Sequence, residues 1–254
     1  MKKILVRHFR IDSPNVDLPH NGLRILHLTD LHVKERTKLD FIYSIIEEYA
    51  PNFVALTGDY VCYDTDNLWR VTDFLRRIKI KKYATLGNHD HWTNASAVAE
   101  ALTEGGCTVL LNSSVQEKIN DREINIIGID DKVTKNDKAK EACLSAITGN
   151  TSIILSHVGD VIEDLSDNKN AIILSGHTHA GQIKLPWLTK RLLHAYGLKY
   201  HYGFYEQNGH LVYVSSGLGE SVPLRWRATP EICVFDLFNS PKLTYSLLNS
   251  GLIS

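Results

Sequence analysis

Short apolar runs alternate with segments of helical periodicity over most of the chain. The runs have strand length and are rich in β-branched residues, and they cover residues 23–28, 53–56, 83–86, 124–129, 153–155 and 172–174. The segments between them that space apolar residues at helical intervals are 39–48, 68–78, 95–104 and 138–147. This alternation predicts an α/β layered fold.

The last fifth of the chain changes to strand-like patterning. Further strands are predicted at residues 211–214, 232–237 and 243–247, with turn residues such as Gly217 and Pro223 between them. We expect these late strands to form a second sheet that packs on the first. No Pro/Gly/Ser-rich linker divides the chain, so residues 1–254 are predicted to form one domain.

Polar residues with metal-binding side chains directly follow five of the predicted strands. The blocks are Asp30-Leu31-His32, Gly58-Asp59, Gly87-Asn88-His89-Asp90, Ser156-His157 and Gly176-His177-Thr178-His179. Because the carboxyl ends of parallel strands meet at one edge of a sheet, this order can deliver the side chains into one crevice. Carboxylate, amide and imidazole donors without a cysteine suit manganese, iron or zinc better than magnesium.

Each block taken alone has a simpler explanation. Asp and Gly end strands for backbone reasons, so Gly58-Asp59 by itself is typical of a turn. The pair His177 and His179 is more informative, because two imidazoles directly after an apolar strand rarely serve packing alone. The occurrence of all five blocks in one chain and in one order favours a dinuclear metal site.

In these blocks the chain resembles the calcineurin-like metallophosphoesterases, whose signature has the same motifs in the same order. The resemblance implies a two-sheet β-sandwich flanked by helices, with two divalent cations about 3.5–4 Å apart that activate a hydroxide. The ligands that it implies are Asp30, His32 and His179 for one cation, Asn88, His157 and His177 for the other, and Asp59 as a bridge.

The resemblance also assigns catalytic roles beside the metals. His89 would lie at the substrate phosphate as a hydrogen-bond donor or general acid, and Asp90 would orient it. Relatives often extend the second block to Gly-Asp-x-x-Asp, but this chain has Cys62 in place of the second Asp. We do not assign the role of that carboxylate to Asp64.

Further stretches resemble the YkuE/YaeI branch of the superfamily. They are residues 18–25, 176–186, 216–219, 223–225 and 230–232, within a resemblance that runs from about residue 18 to 238. Members of this branch are commonly phosphodiesterases or pyrophosphohydrolases, and some are similar to enzymes that cut UDP-2,3-diacylglucosamine in lipid A biosynthesis. The resemblance therefore implies a phosphorylated small-molecule or lipid-linked substrate.

Basic residues near the last block are candidates for substrate binding. Lys190 and Arg191 lie in the aromatic, apolar segment 187–205, which would either wall the site, contact a membrane peripherally, or pack on the sandwich with its cations in water. Arg225 and Arg227 are candidate phosphate contacts, with solvation at the surface as the alternative.

Composition limits the remaining possibilities. The chain has 28 basic and 29 acidic residues, and this balance argues against general nucleic-acid binding. Four widely spaced cysteines and an N-terminus whose apolar stretch is too short for a signal peptide or membrane span predict a cytoplasmic protein. We therefore expect a phosphodiesterase or pyrophosphatase that uses two metal ions, with manganese favoured. The alternatives are a phosphomonoesterase, a nuclease or a non-catalytic scaffold.

Overall fold

The computed structural model describes residues 3–14, 16–166, 171–182, 198–221 and 225–253. Its strands are β1 (Ile4–Ser13), β2 (Leu23–Leu28), β3 (Phe53–Thr57), β4 (Lys81–Thr85), β5 (Thr108–Val109), β6 (Ser113–Ile119), β7 (Arg122–Ile129), β8 (Thr151–Ser156), β9 (Ala171–Ser175), β10 (Gly203–Gln207), β11 (His210–Val214), β12 (Glu231–Asn239) and β13 (Thr244–Ile253). Its α-helices are α1 (Phe41–Tyr49), α2 (Leu68–Arg77), α3 (Asn88–Glu104) and α4 (Ala139–Leu144). Short 3₁₀ turns lie at Gly159–Asp164 and His179–Gly181.

The first sheet has the order β13-β1-β12-β2-β3-β4-β5. β2, β3, β4 and β5 are parallel, and α1, α2 and α3 form the crossovers between them. Parallel neighbours need such crossovers, and this connectivity brings the carboxyl ends of β2, β3 and β4 to the same edge of the sheet. On the other side, β12 is antiparallel to β2 and parallel to β1, and β13 pairs antiparallel with β1.

The second sheet has the order β10-β11-β9-β8-β7-β6. Its central strands β7, β8, β9 and β11 are parallel, while β6 and β10 pair antiparallel at the two edges. The two sheets pack face to face around buried side chains such as Ile25 and Phe235 from the first sheet and Ile153 and Leu174 from the second. Helices cover the outer faces, with α1, α2 and α3 on the first sheet and α4 on the second. The predicted α/β sandwich of two sheets flanked by helices is therefore confirmed.

The expectation that the late strands form the second sheet is wrong. Only β11 and its partner β10 belong to that sheet, whereas β12 lies between β1 and β2 in the first sheet. The reason is burial on both faces: residues 231–237 of β12 are all buried, as is typical of a central strand rather than of a half-solvated one. The exposed β13 then forms the outer edge of the same sheet.

Two other differences from the sequence prediction concern β1 and the start of α3. The sequence pattern predicts no strand before β2, yet β1 pairs along its length with the distant β12 and β13. The apolar pattern predicts that the third helix starts at residue 95, but α3 begins at Asn88, because the Asp90 carboxylate caps the backbone N–H of Gly87. The helix is broken at Asn94, where the backbone has φ −169° and ψ 92°.

No helix in the described ranges is long and apolar enough to span a membrane.

Candidate metal centre

The seven expected metal ligands come together where the carboxyl ends of strands from both sheets meet. Three strands of the first sheet and two of the second lead into this edge of the sandwich. Asp30 and His32 follow β2, Asp59 follows β3, Asn88 begins α3 after β4, His157 follows β8, and His177 and His179 follow β9. The crevice is therefore built by two sheets instead of by the single parallel sheet considered from the sequence.

One group of donors consists of Asp30, His32 and His179. The Nε2 atoms of His32 and His179 are 3.2 Å apart, and His179 Nε2 is 3.5 Å from Asp30 Oδ1. One donor atom from each residue lies within 4.8 Å of the others, and all three residues are buried. This arrangement can hold one cation through two nitrogens and one oxygen.

A second group lies beside the first and contains Asn88 and His157. His157 Nε2 is 3.1 Å from Asn88 Oδ1 and 3.3 Å from Asp59 Oδ2. The ring of His177 is next to that of His157, with 5.0 Å between the centroids. An amide oxygen and two imidazoles are thereby available to a second cation.

Asp59 faces both groups of donors through one oxygen. Its Oδ2 is 3.3 Å from His157 Nε2 and 3.5 Å from His32 Nε2, while its Oδ1 accepts a hydrogen bond from the backbone N–H of His89 at 2.9 Å. The carboxylate is thus held by the start of α3 with its other oxygen directed between the two groups. This is the position that a bridging carboxylate requires.

Buried charges in this crevice fit cations. Asp30 Oδ1 is buried without a hydrogen-bond partner, and burial raises the pKa of Asp30 to about 6. Burial lowers the pKa of His32 to about 4 and that of His179 well below its ordinary value, so both rings are neutral near pH 7 and can offer lone pairs. An orphaned carboxylate oxygen beside neutral imidazoles is a donor set that a divalent cation would satisfy.

Backbone carbonyls determine which nitrogen of two rings faces the crevice. His32 Nδ1 donates to Val61 O at 3.2 Å, and His157 Nδ1 donates to Thr57 O at 2.7 Å. In both rings Nε2 is the atom left for a metal, and such outer hydrogen bonds are usual for metal-binding histidines. Burial alone would lower the pKa of His157, but the charge of Asp59 raises it well above the ordinary value, so a bound cation would displace a proton there.

His89 lies beside the donor groups, with one ring nitrogen within 4.8 Å of donor atoms of His32 and Asp59, and its role at the substrate phosphate stays a prediction. The expected role of Asp90 requires a correction. His89 Nδ1 donates to Cys62 O at 2.6 Å, and this carbonyl, not Asp90, orients the ring. The Asp90 carboxylate accepts hydrogen bonds from the backbone N–H groups of Gly87, Asp59 and Tyr60 at 2.8–2.9 Å. Asp90 therefore ties two ligand loops together, because the first turn of α3 points its side chain inward, away from the half-buried His89.

Arg225 also differs from its expected role as a phosphate contact. Only 5% of its side chain is exposed, and its guanidinium donates to the carbonyls of Ser216, Gly217, Gly219 and Ala228. Its Nη2 also lies 2.9 Å from His179 Nδ1. Arg225 thus supports the loop that covers the metal centre, since its donors are directed at backbone oxygens.

The other basic candidates have different outcomes. Arg227 is exposed, and its guanidinium lies over the Trp226 ring at 5.1 Å, so its role as a phosphate contact stays a prediction. Lys190 and Arg191 lie outside the described residues, as does most of segment 187–205.

Cys62 lies where relatives often have a second Asp. Its Sγ is 3.4 Å from His32 Nδ1, so the thiol lies next to this ring. Burial raises the pKa of Cys62 to about 11, which keeps the group neutral. The Val61 carbonyl remains the stronger acceptor for the His32 N–H.

A loop and two aromatic rings also lie around the crevice. The loop at Gly217 and Gly219 covers Asp30, with the Gly219 N–H donating to Asp30 O at 2.6 Å. The rings of Tyr63 and Trp92 contact His89, with centroids 5.3 and 5.2 Å from its own. In the sequence, Tyr63 and Trp92 are marked only by their proximity to recognised blocks, whereas residues 216–219 belong to a stretch that resembles the YkuE/YaeI branch.

Comparison with known protein families identifies one model that matches this chain. Residues 23–181 match the model described as calcineurin-like phosphoesterase. The matched segment contains all five blocks that supply the seven donors.

Several known proteins are similar to this chain over most of their length. The metallophosphoesterase YkuE of Bacillus subtilis (strain 168) is 33% identical over 87% of this chain and 81% of its own length. Phosphodiesterase YaeI of Escherichia coli (strain K12) is 28% identical, with coverage of 84% and 82%. UDP-2,3-diacylglucosamine pyrophosphatase LpxG of Chlamydia trachomatis serovar D is 26% identical, with coverage of 91% and 90%.

Proposed function

The chain belongs to the calcineurin-like phosphoesterase family, and we propose that it hydrolyses a phosphodiester or pyrophosphate bond with the help of two divalent cations. The observation that carries this proposal is the position of Asp59, whose Oδ2 lies within 3.5 Å of a histidine in each donor group. A carboxylate shared in this way holds two cations close enough to clamp one phosphoryl group.

The donor sets support a division of the ligands between the cations. Asp30, His32 and His179 would hold one cation, and Asn88, His157 and His177 the other, with Asp59 shared. When bound, the two cations would neutralise charge on the phosphoryl oxygens and lower the pKa of a water molecule. Mixed oxygen and nitrogen donors favour manganese, with iron or zinc as the alternatives.

His89 is the group that we assign to the leaving oxygen. Its backbone N–H holds Asp59, and its Nδ1–H is engaged by Cys62 O, so the ring can donate a proton only from Nε2. A doubly protonated His89 would transfer the Nε2 proton to the leaving oxygen and become neutral, while Nδ1 keeps its proton. The retained hydrogen bond fixes the ring during this transfer.

Names of the relatives bear on the substrate. LpxG is named for a pyrophosphatase that acts on UDP-2,3-diacylglucosamine, and YaeI is named as a phosphodiesterase. We infer that this chain also acts on a diester or anhydride of a phosphorylated small molecule or lipid-linked substrate. Arg227, which is exposed, remains a candidate contact for a second phosphate.

Turnover by metal-reconstituted protein tests the proposal. We expect manganese-dependent cleavage of bis-p-nitrophenyl phosphate or UDP-2,3-diacylglucosamine that exceeds cleavage of p-nitrophenyl phosphate. Asp59→Ala should lower the rate more than tenfold, because it removes a carboxylate oxygen that lies within 3.5 Å of a histidine in each donor group. Asp73→Ala, which changes an exposed carboxylate on α2, is the matched control and should retain the wild-type rate.

Other outcomes would redirect the proposal. Preferential cleavage of the monoester would make the protein a phosphomonoesterase, and cleavage of short oligonucleotides would make it a nuclease. Failure of the wild-type protein to bind metal would contradict the proposed centre and favour a scaffold.

A further inference from the structure

Two large aromatic rings lie exposed beside His89, which is half-buried. Tyr63 is 67% exposed and Trp92 is 62% exposed. Their ring centroids are 5.3 and 5.2 Å from that of His89, and each ring is inclined at 64° to it. Among the proposed ligands and His89, only His89 and His177 are partly exposed, so solvent reaches the site at His89, beside these rings.

We propose that Tyr63 and Trp92 form a stacking subsite for a planar aromatic ring on the leaving side of the substrate. This inference rests on the proposed function, because His89 is the residue that we assign to the leaving oxygen. A group attached to that oxygen would reach the two rings directly beyond His89.

Local backbone structure holds both rings in place relative to His89. Tyr63 follows Cys62, whose carbonyl accepts the His89 Nδ1 hydrogen bond. Trp92 lies three residues after His89 in the first turn of α3, so both side chains project from the same face of the helix. The subsite is therefore pre-organised by the same contacts that orient the proposed acid.

The sequence neighbours of the two rings favour a planar aromatic group with polar atoms at its edge, over an acyl chain, as the occupant of the subsite. The residues adjacent to Tyr63 and Trp92 in sequence are mostly polar, namely Cys62, Asp64, Thr65 and Asp66 around the first ring and His91, Thr93 and Asn94 around the second. An acyl chain requires a continuous apolar groove, whereas stacking requires only ring faces. The two acidic residues after Tyr63 would also repel a further phosphate, so the occupant should be uncharged at this end.

Isolated exposed aromatic side chains are common on protein surfaces, and Trp69 on α2 provides the comparison within this chain. Trp69 is 64% exposed, but its neighbour is the Arg70 guanidinium, 5.3 Å from the ring. Tyr63 and Trp92 differ because both contact one proposed catalytic histidine at the open side of the crevice. Trp69 is therefore the matched control for substitution.

The test compares ligands of equal carbon number that differ in ring planarity. Benzylphosphonate and cyclohexylmethylphosphonate carry the same anionic group, and calorimetry on manganese-loaded protein gives the dissociation constant of each without turnover. We expect wild-type protein to bind the benzyl compound about tenfold more tightly, as is usual for stacking of one ring. Tyr63→Leu and Trp92→Leu should each remove most of that preference, while Trp69→Leu should leave it unchanged.

Uridine 5′-phosphate and ribose 5-phosphate extend the comparison to a nucleobase. A preference for the uridine compound that is lost in Tyr63→Leu or Trp92→Leu would identify the ring as a nucleobase, and a preference for the benzyl compound alone would identify another aryl group. Equal affinity for both phosphonates, no binding of either, or a preference that persists in both variants would overturn the proposal. Failure of the proposed hydrolysis would be seen separately, as absence of turnover in the wild-type protein.

Discussion

Five of the seven proposed ligands adopt a left-handed backbone that non-glycine residues rarely adopt. The φ angles are 53° at Asp30, 42° at His32, 57° at Asp59, 69° at His177 and 49° at His179. Each such residue costs on the order of 1–3 kcal/mol, and such residues cluster at functional sites. Asp30 and His32 are two residues apart, as are His177 and His179. The turns direct both side chains of each pair into one crevice.

His89 is where a single substitution can separate catalysis from metal binding. His89→Gln should keep both cations and lower kcat about 100-fold, because the amide cannot donate a proton to the leaving oxygen. Metal content by mass spectrometry and kcat on bis-p-nitrophenyl phosphate give the two readouts.

His91→Gln is the control for that substitution. This neighbouring histidine pairs with Asp130, with 2.7 Å between Nε2 and Oδ1, and should be dispensable for the chemical step. Loss of metal from His89→Gln would move His89 into the ligand set.

At the level of elements, the loops after the strands hold one another. The Asp30 and His32 N–H groups donate to the carbonyls of Gly58 and Asp59, which joins the loops after β2 and β3. The Gly176 N–H donates to His157 O, which joins those after β8 and β9. Three glycines also allow close approach to ligands: a Cβ at Gly176 or Gly217 would meet the Asp30 side chain, and one at Gly87 would meet Asp59.

Substitution of Gly176 tests this close packing. A Cβ there would lie 2.2 Å from Asp30 Oδ2 and from Thr29 Oγ1, so Asp30 must move. We expect Gly176→Ala to reduce metal affinity at least tenfold, measured by competition with a chelator. Gly251→Ala in β13, where a Cβ meets nothing within 4 Å, should retain wild-type affinity. Equal affinity in both variants would show that the loop adapts.

At the level of the whole molecule, the buried side chain of His27 links folding to pH. His27 of β2 is buried, with its Nε2 2.8 Å from Thr57 Oγ1, and burial lowers its pKa to about 3. Because the unfolded chain binds this proton near pH 6.5, the contribution of His27 to stability is complete above that pH. It is lost progressively as the pH falls towards 3.

This linkage predicts a pH dependence of the free energy of unfolding. Between pH 6.5 and pH 5, the His27 contribution should fall by about 2 kcal/mol. In His27→Gln, which keeps a polar group near Thr57 but does not titrate, urea unfolding at the two pH values should differ by correspondingly less. The same pH difference in both proteins would mean that His27 is protonated in the folded state.

From the linear pattern alone, the strands β2, β3, β4, β8 and β9 and the seven donors that follow them could be located. Strands buried on both faces appear as continuous apolar runs, and each motif block is contiguous in the chain, so both are visible locally.

The distribution of these strands between the two sheets, and the groups that support the donors, could be learned only from the folded chain. β12 pairs with β1 and β2, which are distant from it in the chain. Arg225 binds backbone carbonyls of the loop at Gly217, and the backbone carbonyl of Cys62 orients His89. Strand partners are selected by the packing of the whole core, and a backbone carbonyl carries no residue identity that a motif could record. For that reason Asp90 and Arg225 have supporting contacts in the structure, although their positions in the sequence suggested direct contact with His89 or with the substrate.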